Sequence, residues 1–194
     1  MLTFRGTELE PRDWSTDLNA LPTAWPAGGQ VHRGFADALR DVWDEVAAAL
    51  VGLPSRLLYT GHSLGAALAT LAASLRQPTV RYTFGSPRVG DAAFVQSLAA
   101  LPHHRFVNCC DVVCRVPPEA LGYAHLGPPA YLDGYGHLHV APDDELVEKD
   151  QARARRAYLW RYAWRLGTLW TRDVADHTPA NYVAAAAQLP GGAP

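Results

Sequence analysis

The chain has 194 residues, 48% of them hydrophobic and 19% charged, with a formal net charge of −2. That balance suits a chain that buries a substantial core, and it excludes a general electrostatic pull toward nucleic acid. Met1 to Gly6 shows no basic region leading into a long apolar run, and no charge-free apolar segment approaches the roughly 20 residues of a membrane span, so a cytoplasmic protein without a transmembrane segment is expected.

Residues 1–6 are predicted as the tail of a strand that ends in Phe4-Arg5-Gly6-Thr7. Glu8 to Pro26 mixes Pro, Asp, Trp and Leu without periodicity and is predicted as a long surface loop with a short helix at Trp14 to Leu18. Loops of that length in compact domains usually carry function. From Asp37 to Leu50 the apolar positions Ala38, Leu39, Val42, Trp43, Val46, Ala47 and Leu50 have helical spacing, and Gly52 and Pro54 end the helix.

The next stretch alternates. Strands are predicted at Arg56–Thr60, Val80–Phe84 and Arg105–Cys110, with helices at Leu64–Leu75 and Ala92–Leu101 between them. Strands separated by helices imply a parallel sheet with crossover connections. Pro117 to Pro142 is rich in Pro, Gly and Tyr and predicts irregular structure with an edge hairpin near Tyr131 to Val140. A helix follows over Gln151 to Thr171, with Tyr158, Leu159, Tyr162, Leu166, Leu169 and Trp170 on one side and Arg161, Arg165 and Arg172 on another. Packing on the sheet with a solvated arginine face is the favoured reading. Trp160 and Trp164 near the arginines support a rival in which the helix lies on a lipid surface. Asp176-His177 and a terminal helix, Ala180 to Gln188, complete the chain. With no internal repeat, one α/β domain over residues 1–194 is expected.

Cys109, Cys110 and Cys114 are clustered and odd in number, unlike a secreted disulfide framework. With His103 and His104 they fit no standard metal spacing, and they read as small core residues at a strand end. No metal or organic cofactor is called for.

Gly61-His62-Ser63-Leu64-Gly65 lies between an apolar strand and an Ala/Leu-rich helix. Gly-x-Ser-x-Gly in that setting puts a serine on a sharp strand-to-helix turn with its hydroxyl above the sheet. A serine hydroxyl needs a base, and the base an acid to orient it. On a sheet of this kind the order is Ser, Asp/Glu, His. Asp111 follows the Arg105–Cys110 strand with room for two strand–helix units after Ser63. For the base, His62 is expected to point into the sheet, and His32, His103 and His104 precede the acid. His177 lies in a loop between helical segments from which an imidazole can reach the serine; His125 and the His137/His139 pair have the right order too.

The chain resembles the class 3 lipases, α/β-hydrolases that include the fungal triacylglycerol lipases. The matching stretches are Phe4 to Thr7, Asp13-Trp14 with Asp17-Leu18, Val31 to Phe35, Gly61 to Gly65, Phe84 to Asp91, Asn108 to Pro117, Gly122 to His125, and Asp176-His177 with Tyr182, all in family order. The resemblance implies a mostly parallel α/β-hydrolase sheet with flanking helices. It implies Ser63 as nucleophile, Asp111 as acid and His177 as base, Thr7 and the Leu64 N–H as oxyanion donors, and Glu8 to Leu18 with Trp14 as a lid. It makes His125 structural. The activity it implies is hydrolysis of carboxylic esters of lipids at or near a lipid–water interface; a catalytically silent lipase-fold protein that binds a lipid or a partner is the alternative.

Three positions depart from the family pattern. Phe4 opens the sheet where relatives carry earlier elements, so a sheet truncated at its N-terminal edge is expected, covered by a partner chain or a missing segment. Ala66 replaces a common second glycine, and Cys114 a common proline.

Overall fold

A computed structural model describes residues 1–6, 21–53, 56–162 and 171–186. The expected lid with Trp14 and the expected oxyanion donor Thr7 lie outside the described residues, as do residues 163–170 of the expected arginine-rich helix and residues 187–188 of the expected terminal helix.

The main sheet has six strands in the order β1 (Leu2–Phe4), β4 (Leu58–His62), β5 (Val80–Phe84), β7 (His103–Asn108), β9 (Ala130–Leu132) and β10 (Leu138–Val140). The first five run parallel, and β10 returns antiparallel to β9 as the expected edge hairpin. Its turn is held by Asp133, whose carboxylate accepts the amides of Tyr135 and His137 at 2.8 and 2.9 Å. The register aligns Gly61 with Phe4 on one side and Thr83 on the other. This is the α/β-hydrolase arrangement of a mostly parallel sheet with flanking helices.

A second, antiparallel sheet of four short strands was not expected: β2 (Pro22–Ala24), β3 (Gln30–His32), β6 (Gly90–Asp91) and β8 (Tyr123–Ala124). A tight turn from Trp25 to Gly29 joins its first two strands. The loop reading that extended to Pro26 therefore fails from Pro22 onward, because strands of two or three residues carry no readable alternation.

Helix α1 (Arg33–Ala49) starts directly after β3, earlier than the expected Asp37. Phe35, Ala36 and Leu39 are its buried residues, whereas Val42, placed on the apolar stripe by spacing, is 40% exposed. It covers α2 (Leu64–Leu75), in which Gly65 to Ala73 are all buried. A helix apolar all round must be enclosed, and α2 lies between α1 and the sheet in the main core. Helix α3 (Ala92–Ser97) is capped by Asp91, which accepts the Phe94 amide at 2.8 Å. It stops short of the expected Leu101 because the chain tightens into successive three-residue turns that bury Leu98 and Leu101 before β7.

Helix α4 (Asp144–Tyr162) begins before the expected Gln151, with Asp143 accepting the Leu146 amide at 2.7 Å. Its buried residues are Asp150, Gln151 and Ala154, while Leu159 and Trp160 are 45% and 82% exposed. The expected apolar face at Leu159 is thus not what packs; a polar patch near the helix start does. Two short helices follow, α5 (Thr171–Ala175) and α6 (Pro179–Ala186). Arg172, grouped by spacing with a solvated face, instead pairs with Asp176 at 2.8 Å. Tyr182 of α6 is buried against Phe106 and Leu132, in a second core apart from the one around α2. Among the described residues no helix is long and apolar enough to cross a membrane.

Candidate active site

β4 delivers Ser63 to the start of α2 through a turn that only a particular set of residues permits. Ser63 has φ 59° and ψ −125°, in a region that L-residues with a Cβ rarely occupy. The strain is held by the Ser63 amide bonded to the Phe84 carbonyl at 3.0 Å and by the Ser63 carbonyl accepting the Ala66 amide at 3.0 Å. Close approach explains the flanking glycines: a Cβ on Gly61 would lie 2.2 Å from the Gly65 carbonyl oxygen, and one on Gly65 2.2 Å from the Phe4 carbonyl oxygen. Leu64 opens α2, where an amide has no intrahelical carbonyl to bond. Ala66 is fully buried and fits without the second glycine.

The expected acid and base meet that serine. Asp111 follows β7 in a turn closed by its own amide on the Asn108 carbonyl at 2.8 Å, and it is 1% exposed. Its carboxylate accepts the Val113 amide at 2.9 Å, the Tyr182 hydroxyl at 2.6 Å and His177 Nδ1 at 3.0 Å. A carboxylate there accepts only, so Nδ1 carries the proton and Nε2 is left to accept from the Ser63 hydroxyl, 2.8 Å away.

The support around these three groups includes residues that sequence reasoning missed. Tyr182 accepts the Asn108 amide at 3.0 Å while donating to Asp111, joining α6 to the end of β7. Asn108 donates its side-chain amide to the Asp176 carbonyl at 2.9 Å, which pins the loop that carries His177. The Asp176 carboxylate accepts from Arg172 and from the Cys110 amide at 3.1 Å; burial raises its pKa, and Arg172 opposes the rise. Gly85, after β5, has φ +57°, and a Cβ there would come 2.8 Å from Asp111 Oδ2 and 3.0 Å from His177 Nδ1. The Gly85-Ser-Pro strand stop was the available signal for it.

His62 does not point into the sheet as expected. It takes the face opposite buried Tyr59 and Gly61, and its Nε2 donates to the His177 carbonyl oxygen at 2.7 Å. The rival histidines have other partners. His125 donates to the Cys114 carbonyl at 2.6 Å, and burial, then Arg105, lowers its pKa to about 3. His137 and His139 both reach Asp133 on the far hairpin. His103 lies between the Leu101 and Leu126 carbonyls. The three cysteines are buried and unbridged. Cys109 and Cys110 lie near Asp176 rather than His103 or His104, and that carboxylate is already held by Arg172.

The model of the family Lipase (class 3) matches residues 1–121. This chain belongs to the class 3 lipase family. It is 37% identical over 144 residues to a lipase of Rhizomucor miehei, covering 65% of this chain and 39% of that protein. It is 36% identical over 151 residues to a protein of Fusarium solani named secreted mono- and diacylglycerol lipase 1, covering 69% and 44%. Among solved structures, the Rhizomucor miehei lipase propeptide complex aligns with a TM-score of 0.62 at 35% identity, over 71% of this chain and 50% of that one. The mono- and diacylglycerol lipase of Aspergillus oryzae aligns with a TM-score of 0.64 at 28% identity, over 73% and 59%. This class 3 lipase chain thus spans less than half the length of the two curated relatives named here. The cytoplasmic expectation is corrected by relatives named as secreted, that of Fusarium solani and a mono- and diacylglycerol lipase of Penicillium cyclopium among them.

Proposed function

We propose that this chain is the catalytic part of a serine hydrolase that cleaves carboxylic esters of lipids through an acyl-enzyme. The reading rests on one observation above the others: His177 lies 2.8 Å from the Ser63 hydroxyl through Nε2 and 3.0 Å from Asp111 through Nδ1. Ser63 attacks the ester carbonyl as His177 takes its proton, and Asp111 orients the imidazole and stabilises the imidazolium. The tetrahedral oxyanion is held by the Leu64 amide at the start of α2, whose dipole favours negative charge, and by Thr7 as the family resemblance implies. His177 then protonates the departing alcohol, and water, activated the same way, releases the acid. Acylglycerols are the proposed substrates, following the mono- and diacylglycerol lipases that the chain is similar to.

The test is turnover of p-nitrophenyl esters and of an emulsified monoacylglycerol by Ser63→Ala. A loss of at least about 10³-fold is expected, together with loss of fluorophosphonate labelling. Wild-type turnover in that variant would sink the proposal, and a wild-type chain inert to both substrates and probe would indicate a silent binding protein.

A further inference from the structure

Two arginines on the α2-facing side of the sheet are buried with no ion-pair partner among the described residues. Arg81 on β5 is 2% exposed and is among the largest fully buried side chains of the protein; Arg105 on β7 is 9% exposed. The register pairs Thr83 with Arg105 and Arg81 with His103, so both guanidiniums project from the same face of adjacent strands. Among the described residues Arg81 Nε and Nη1 and Arg105 Nε have no hydrogen-bond partner, while Arg105 Nη2 donates to the Gly127 carbonyl at 3.3 Å. Both side chains line one small cavity of about 20 Å³, with Thr70, Thr83 and Ser86 as its hydroxyl-bearing members. Among the described residues that line it, none is acidic.

A buried cation with unsatisfied N–H groups is strongly destabilising, and proteins normally answer it with a carboxylate. This cavity offers none. Burial and then Arg105 lower the Arg81 pKa, but only to about 10, so it stays charged at neutral pH. Arg105 in turn helps hold His125, on the same cavity, neutral. Arg105 also borders the larger open cavity that Asp111 and Glu119 line, whereas Arg81 does not; water can satisfy the Arg81 N–H groups but cannot balance its charge. The cavity volume admits one water-sized particle, which is too little for a carboxylate or a phosphate.

We propose that Arg81 and Arg105 hold a single-atom anion, a halide such as chloride, in the cavity they share. Both arginines lie within the sheet strands whose ends lead to Gly85 and Asp111, so the ion sits beneath the loops of the candidate active site and acts as a structural counterion for them.

Thermal unfolding of the full chain in sodium chloride or sodium bromide, against sodium gluconate at equal ionic strength, tests the idea. A saturable rise in melting temperature of several degrees in either halide is expected. It should be abolished in Arg81→Met, which keeps side-chain length and removes the charge. Crystals of the wild-type chain grown in bromide should show an anomalous peak between the two guanidiniums, a readout that holds even if the variant fails to fold. Equal melting temperatures in halide and gluconate, an undiminished halide response in Arg81→Met, or a water in place of bromide would each overturn the proposal.

Discussion

His62 Nε2 donates to the backbone carbonyl of His177 across 2.7 Å, and the two rings lie 4.6 Å apart between centroids. The neighbour of the proposed nucleophile therefore holds the backbone of the proposed base. Burial, then His177, lowers the His62 pKa, so the ring is a neutral donor at neutral pH. A hydrogen bond of this kind is worth about 1 kcal/mol net, so His62→Ala should lower kcat by about 5- to 10-fold with little change in KM. Partial recovery in His62→Gln, which keeps a donor, would separate positioning from bulk; steady-state kinetics of the pair decides.

Tyr182→Phe removes a buried hydroxyl that bridges Asp111 and the Asn108 amide. Leaving that amide unsatisfied costs about 1–3 kcal/mol, while Asp111 Oδ2 keeps its bond from His177 Nδ1 at 3.0 Å. Denaturant unfolding should show that loss, and kcat should fall by about 10-fold as the acid loses one of its fixed donors.

Gly85→Ala drives a methyl group between Asp111 and His177 at 2.8 and 3.0 Å, at a φ of +57°. The backbone penalty alone is about 1–2 kcal/mol. The larger effect should fall on activity, at about 10²-fold or more in kcat, since a 1 Å misplacement of a reacting group has that scale. Near-wild-type kcat in a folded variant would contradict the geometry.

Ser63→Gly should abolish activity and raise stability. The residue stands at φ 59°, a conformation that costs a side chain about 1–3 kcal/mol and glycine almost nothing. A gain of about 1 kcal/mol is expected in denaturant unfolding, after allowing for the greater entropy of glycine in the unfolded chain.

Acid stability should report on His125. Its folded pKa of about 3 lies below the ordinary 6.5, so the unfolded chain binds the proton first and stability falls as pH drops from 6.5 toward 3. Linkage puts the loss at about 2 kcal/mol at pH 5. His125→Gln, which keeps a donor toward the Cys114 carbonyl, should flatten the stability profile across that window.

The parts of the molecule legible in sequence are those where a short pattern has a steric cause. Gly61 and Gly65 mark the turn because no other residue fits against the Gly65 and Phe4 carbonyls. Asp111 was readable from strand order alone; His177 needed the family resemblance to be chosen over His125 and the hairpin pair. His62 was misread because its place beside the serine says nothing of what returns to it from 115 positions away. The start of α4 was missed because its contacts run through Asp150 and Gln151 rather than through an apolar stripe. The second sheet, with strands as short as Gly90–Asp91, has no period to read.

The contact between Gly65 and the Phe4 carbonyl makes β1 a gauge block for the serine. That strand has three residues, and among the described residues its pairing is with β4. Short strands open locally at a small fraction of the global unfolding free energy. Loss of alignment at the turn can therefore precede melting of the core, and on heating the chain should lose its proposed activity several degrees before it loses its fold.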